Sequence, residues 1–174
     1  MNIYQYKLIR NDNDMPALFP EKQLFIEDNE RYIEDNIGKI LMENLPLNND
    51  YVESSYIIST DVNDEINGIM ELSKGDHTSN LLCYREIFIY LLLTGSSGFI
   101  KVHNHPNHVA ELSDADKADI NVLSYISELL KIKLIDYLVL TDECFYSAYE
   151  EGYLIRKEFI WREDLSMKFE SIKI

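Results

Sequence analysis

The chain has 174 residues, enough for one domain that buries a substantial core without staples. Its 31 acidic against 16 basic residues give a net charge of −15, a field that repels phosphate backbones and argues against direct nucleic-acid binding. A composition of 46% hydrophobic and 27% charged residues is that of a soluble globular protein.

Residues 1–7 lack the apolar core of a signal peptide. The longest apolar run, 87–93, is too short to span a bilayer. Cys83 and Cys144 have no CxxC spacing; they fit a reducing cytoplasm and read as small buried residues. A cytoplasmic location without membrane contact is therefore expected.

In chain order, residues 2–10 alternate apolar and polar and predict a first strand. Residues 11–25 hold Pro16 and Pro20 among Asn and Asp, which reads as a loop. From 27 to 45, Ile33, Ile37, Ile40 and Leu41 recur at helical spacing, and Pro46 ends that helix. Residues 51–60 and 65–72 form two strands around a turn at 61–64, and 75–80 is a polar loop. Residues 85–94 are apolar nearly all round and predict a buried helix. A strand at 99–104 follows. Ser113 starts a helix to about 130, with Ala115, Ala118, Val122, Ile126 and Leu129 as its apolar stripe. A strand at 132–140 and a hairpin partner at 144–149 complete an α/β fold with a mixed sheet. Residues 153–174 are amphipathic and fit either a strand with a short helix or a partner-binding tail.

The chemistry concentrates in His103-Asn104-His105-Pro106 and Ser113-Asp114-Ala115-Asp116. Two imidazoles two residues apart on a strand point the same way. Asp116 can close a three-ligand site if the intervening loop folds back. Two His and one carboxylate, with a fourth position open to water, is ligation that a hydrolytic Zn2+ accepts. Taken singly these are ordinary residues: Ser113-x-x-Asp116 is also a helix N-terminus signature, compatible with ligation by Asp116. Lys101, two positions before His103 on the same strand face, would weaken metal binding unless it turns to solvent. His77 and His108 read as surface residues.

These stretches resemble the JAB/MPN (JAMM) metalloprotease family, and more closely its RadC-type branch. The likeness covers roughly residues 50–153. It rests on Gly68, Arg85-Glu86-Ile87-Phe88, the His and Ser-x-x-Asp motifs, residues 136–140, Tyr146-Ser147 and Glu151-Gly152 in that order. It implies a cytidine deaminase-like mixed sheet flanked by helices. The domain would span 51–153, with an N-terminal strand and helix in 1–50 packed on it and a C-terminal extension at 154–174. It further implies zinc on His103, His105 and Asp116, with a Glu about fifty residues upstream as general base. Counting back from Gly68 places that base at Glu53; Glu86 is the competitor, read as a structural partner of Arg85. Ser113 serves as helix cap, as an oxyanion donor, or as both. The implied activity is a zinc metallopeptidase acting on a protein or peptide substrate, with cleavage of a peptide or isopeptide bond. Two other readings stand beside it: a DNA-repair or mobile-element accessory acting through partner proteins, and a catalytically silent MPN-type scaffold. Two departures from the branch bear on these. Asn107-His108 and Leu112 replace the usual residues of the loop after His-Pro. The first fifty residues, with Gly38 as their one glycine, are not expected to hold the DNA-binding helix-hairpin-helix of many members.

Overall fold

In the computed structural model, which describes residues 2–25, 41–42, 52–74, 80–106 and 108–156, seven strands form one mixed sheet. They are β1 (Asn2–Arg10), β2 (Pro16–Phe25), β3 (Ser54–Thr60), β4 (Ile66–Lys74), β5 (Gly98–Asn104), β6 (Lys133–Leu140) and β7 (Phe145–Ser147). Their order across the sheet is β2-β1-β4-β3-β5-β6-β7. Helix α1 (Asn80–Leu93) joins β4 to β5, and α2 (Asp114–Leu130) joins β5 to its parallel neighbour β6. This is the expected α/β architecture, a mixed sheet flanked by helices.

The stretch expected as a loop at 11–25 is instead a tight turn followed by a full strand. Asn11 closes the turn: its Oδ1 accepts from Asn13 N at 3.0 Å and Met15 N at 3.1 Å. Asp14 takes the left-handed conformation at φ 59°. Both prolines sit where a strand tolerates them. Pro16 is the first residue of β2, an edge strand, and Pro20 lies at the register shift opposite Gln5 and Tyr6. Neither removes a hydrogen bond from the sheet interior.

Alternation along the strands builds two cores. Ile58, Ile100, Val102 and Leu138 face one side, where Leu41 packs. Of the helix expected at 27–45, only Leu41 and Met42 fall within the described residues, both helical. The opposite face buries Ile57, Phe99 and Val139 beneath Ile87 and Leu91 of α1 and Ile120 and Leu123 of α2. Of the loop predicted at 75–80, residues 75–79, His77 among them, lie outside the described residues, as does the tail from 157, while Asn80 is the first residue of α1.

Three expectations are corrected here. Helix α1 is not buried all round, because Leu92 and Leu93 are exposed at its C-terminal end, beyond the edge of the core. Helix α2 does not bury the predicted stripe: Ala115, Ala118, Val122 and Leu129 are exposed, Ile126 alone of the five is half-buried against the core, and the inner face runs through Asp116, Ile120, Leu123 and Ser127. That face carries a polar residue at each end, so counting apolar residues selected a neighbouring stripe about 100° away. Cys144 is exposed in the β6–β7 turn rather than buried; the side chain of Cys83 lies outside the described ones.

Candidate metal centre

Strand β5 puts His103 on the sheet face that α1 and α2 cover, and His103 is 2% exposed. His105 lies just past the end of β5, yet its backbone N–H still donates to Leu140 O of β6 at 2.8 Å. It therefore keeps the strand's direction, and the two rings end with their Nε2 atoms 3.0 Å apart. The His105 Nδ1–H donates to Val109 O at 2.9 Å, which leaves Nε2 with its lone pair available as a ligand. His103 is held by packing edge-on against Tyr137, ring centroids 5.4 Å apart. Its buried Nδ1 has no partner among the described residues.

Asp116 arrives from the first turn of α2. Ser113 is the N-cap: its Oγ accepts from Asp116 N at 3.1 Å, and Asp116 Oδ2 accepts from Ser113 N at 2.8 Å and from Ser113 Oγ at 2.5 Å. The other carboxylate oxygen, Oδ1, accepts from Tyr137 OH at 3.0 Å. Asp116 then reaches His103 Nε2 at 3.2 Å and His105 Nε2 at 3.6 Å. One ligand atom from each residue lies within 4.8 Å of the others. Zinc ligands at about 2.0–2.1 Å in a tetrahedron stand roughly 3.3 Å from one another, so these residues fit one ion with little movement. Burial pushes the Asp116 carboxyl up, but hydrogen bonds from His103, His105 and Ser113 outweigh it and hold the group well below the usual carboxylate range. The hydrogen bond to Asp116 raises His105 against the opposing effect of its burial.

Glu53 precedes β3. Strands β3 and β5 are antiparallel, with Ser55 opposite His103. Continuing that register two residues sets Glu53 opposite His105, on the same sheet face. The Glu53 charge acts on His105, helping to raise its pKa. Glu86 sits in α1 with its carboxylate 3.8 Å from the exposed Arg85 guanidinium. Of the two carboxylates, Glu53 is the one whose charge acts on His105.

Lys101 does not turn to solvent: it is buried, with Nζ paired to the Asp119 carboxylate. Asp119 follows Asp116 by three residues on α2, so the two acids share a helix face. Asp119 also accepts from Tyr84 OH at 2.7 Å and Tyr137 OH at 3.0 Å. Tyr137 thus bridges Asp116 and Asp119 with a single proton, its ring against that of His103. His108 is exposed and bonds Asp142 at 2.7 Å. Sequence reading did not pick out Asn104, Asp119 or Tyr137. Asn104 lies inside the His motif, and the i,i+3 spacing of Asp116 and Asp119 was the one signal that marked the acid pair.

A family model described as the RadC-like JAB domain matches residues 33–153. A UPF0758 protein from Flavobacterium johnsoniae is 34% identical over 82 residues, which cover 47% of this chain and 36% of that protein. One from Shewanella pealeana is 27% identical over 165 residues, 88% of this chain and 73% of the relative. A third, from Alkaliphilus metalliredigens, is 28% identical over 120 residues, or 68% and 50% of the two chains. The first and third matches thus span a third to a half of the relatives' own lengths.

Proposed function

The chain belongs to the RadC-like JAB domain family, and from that premise we propose that it is a zinc-dependent hydrolase of peptide or isopeptide bonds. The observation that carries this reading is the convergence of His103, His105 and Asp116, with Glu53 two residues before Ser55, the partner of His103 across the sheet. Two imidazole nitrogens and one carboxylate oxygen suit borderline-soft zinc better than the all-oxygen shells of magnesium or calcium. Bound there, zinc supplies Lewis acidity to a water and to the carbonyl under attack.

The chain's own groups do the rest. Glu53 takes a proton from the attacking water and returns it to the leaving nitrogen. His105, locked by Val109 O, keeps its Nε2 aimed at the site. Ser113 holds Asp116 in place, and its hydroxyl reaches an oxyanion only when it releases Asp116 Oδ2. The net charge of −15 favours neutral or basic segments of a protein substrate and disfavours direct DNA contact. A cytoplasmic setting belongs to the same reading; among the described residues no helix is long and apolar enough to cross a membrane.

The test is a screen of peptide and isopeptide libraries with and without chelator, alongside elemental analysis. About one zinc per chain and chelator-sensitive cleavage are expected. Glu53→Gln should keep the zinc and lose roughly 100-fold or more in rate, the scale of a positioned general base. A natively folded protein that binds no zinc would favour the scaffold reading. Salt-dependent DNA binding would favour the nucleic-acid one.

A further inference from the structure

Asn104 stands between the two metal-site histidines and is 3% exposed. Alternation sends its side chain away from the face that carries His103 and His105. Its carboxamide instead spans the gap to the chain entering β3. Oδ1 accepts from Ser54 N at 2.7 Å, and Nδ2 donates to Val52 O at 3.3 Å. Those are the two peptide groups on either side of Glu53. The Cα-paired ladder between β3 and β5 ends at Ser55 and His103, so the carboxamide takes over where the backbone pairing stops. A side-chain amide is chemically a peptide group, one donor edge and one acceptor edge, and can serve as a substitute rung. Holding both flanking peptide planes fixes the direction in which the Glu53 side chain leaves the backbone.

We infer that Asn104 is a positioning residue whose carboxamide clamps the Val52–Ser54 backbone and thereby aims Glu53 at the His103–His105–Asp116 site. The inference rests on the reading of Glu53 as the base. Few side chains can replace this one. Aspartate keeps the acceptor for Ser54 N–H but turns a second acceptor towards Val52 O, and alanine offers neither edge.

The experiment compares crystal structures of zinc-loaded wild type, Asn104→Ala and Asn104→Asp, with zinc measured in each. It needs no substrate. The Glu53 carboxylate should shift by about 1 Å or more in both variants while zinc content stays unchanged, a displacement large enough to cost roughly 100-fold in rate. A carboxylate that stays in place in a folded variant overturns the inference, and so does loss of zinc from both. If alanine prevents folding, the aspartate variant alone decides. A kinetic arm uses a fluorogenic peptide taken from the library screen. There Asn104→Ala should lose about 10–100-fold in kcat with KM within about twofold, yet lose nothing further when combined with Glu53→Gln. An equal loss in the Glu53→Gln background would mark a merely structural role. Full activity of Glu53→Gln by itself would instead sink the base assignment, and the crystallographic result would still report on the clamp.

Discussion

The buried pair of Lys101 and Asp119 offers the sharpest test of how the metal centre is supported. Their side chains are 11% and 14% exposed. Lys101→Met removes the cation and keeps the stem's bulk, so what is lost is charge. Asp119 retains Tyr84 and Tyr137 as donors but becomes an uncompensated buried anion. Breaking a buried pair from one side costs about 3–5 kcal/mol. Within that cost lies the repulsion that the cation offsets: Tyr137 OH lies 3.0 Å from each acid, so the two carboxylates stand at most about 6 Å apart. At an effective dielectric constant near 20, two unit charges at that separation repel by about 3 kcal/mol. The metal-free protein should therefore lose about 3–5 kcal/mol in urea unfolding, which at roughly 2–4 °C per kcal/mol is a fall of about 6–20 °C in Tm. Zinc should restore part of this, since it neutralises the same charge cluster. The double variant Lys101→Met/Asp119→Asn should recover to within about 1–2 kcal/mol of wild type, because Asn removes the charge, keeps Oδ1 to accept from Tyr84, and turns Nδ2 to the Tyr137 hydroxyl oxygen, whose proton stays on Asp116. Single variants that each cost under about 1 kcal/mol, and whose effects add, would refute the reasoning.

Two further outcomes follow from the packing. A Cβ on Gly68 would meet Tyr90 Oη at 2.7 Å and the Tyr6 ring at 3.0 Å, so Gly68→Ala should cost about 1–3 kcal/mol by chemical denaturation. Adding Tyr90→Phe should relieve part of that cost; simple additivity would contradict the proposed clash. Burial raises the Asp136 carboxyl despite its bonds to Ser147 Oγ, Tyr149 N and Tyr137 N. Its folded pKa therefore lies above the unfolded value near 3.8, so its stabilising contribution is complete below that value and fades as pH rises through the folded one. Asp136→Asn copies the protonated carboxyl, with one accepting and one donating edge; it should cost under about 1 kcal/mol at pH 7 and flatten that part of the pH–stability curve. A loss above about 3 kcal/mol, or an unaltered slope, would count against it.

Most strands and the clustering of His103, His105 and Asp116 were legible because both rest on short-range pattern. Residues 54–60, 98–104 and 133–140 carry apolar, β-branched and aromatic residues in short runs, and two residues on a strand repeat a direction. What was missed depends on partners distant in sequence. Pro16 and Pro20 signal a loop until β1 is seen to make β2 an outer strand. Lys101 looks like a liability to a metal until Asp119 is found against it, eighteen residues on. Asn104 looks like a spacer until Val52 and Ser54, some fifty residues earlier, come within reach of its carboxamide.

The rotation of α2 shows why the polar residues overrule the apolar count. Val122, Tyr125 and Leu129 remain exposed, although burying one such side chain is worth about 1.5–3 kcal/mol. Turning the helix by one residue to bury that stripe would swing Asp116 and Asp119 away from Tyr137 and the histidines. It would break the capping box at Ser113, a loss of about 1 kcal/mol. It would also leave Lys101 buried without its counter-charge, which costs several kcal/mol more. Ile120 and Leu123 already fill the inner face between Asp116 and Ser127, so the apolar gain from turning is a difference of stripes rather than a whole one. The helix therefore sits where its acids, and not its most hydrophobic line, meet the sheet, and the same orientation that satisfies the Lys101 charge delivers Asp116 to His103 and His105.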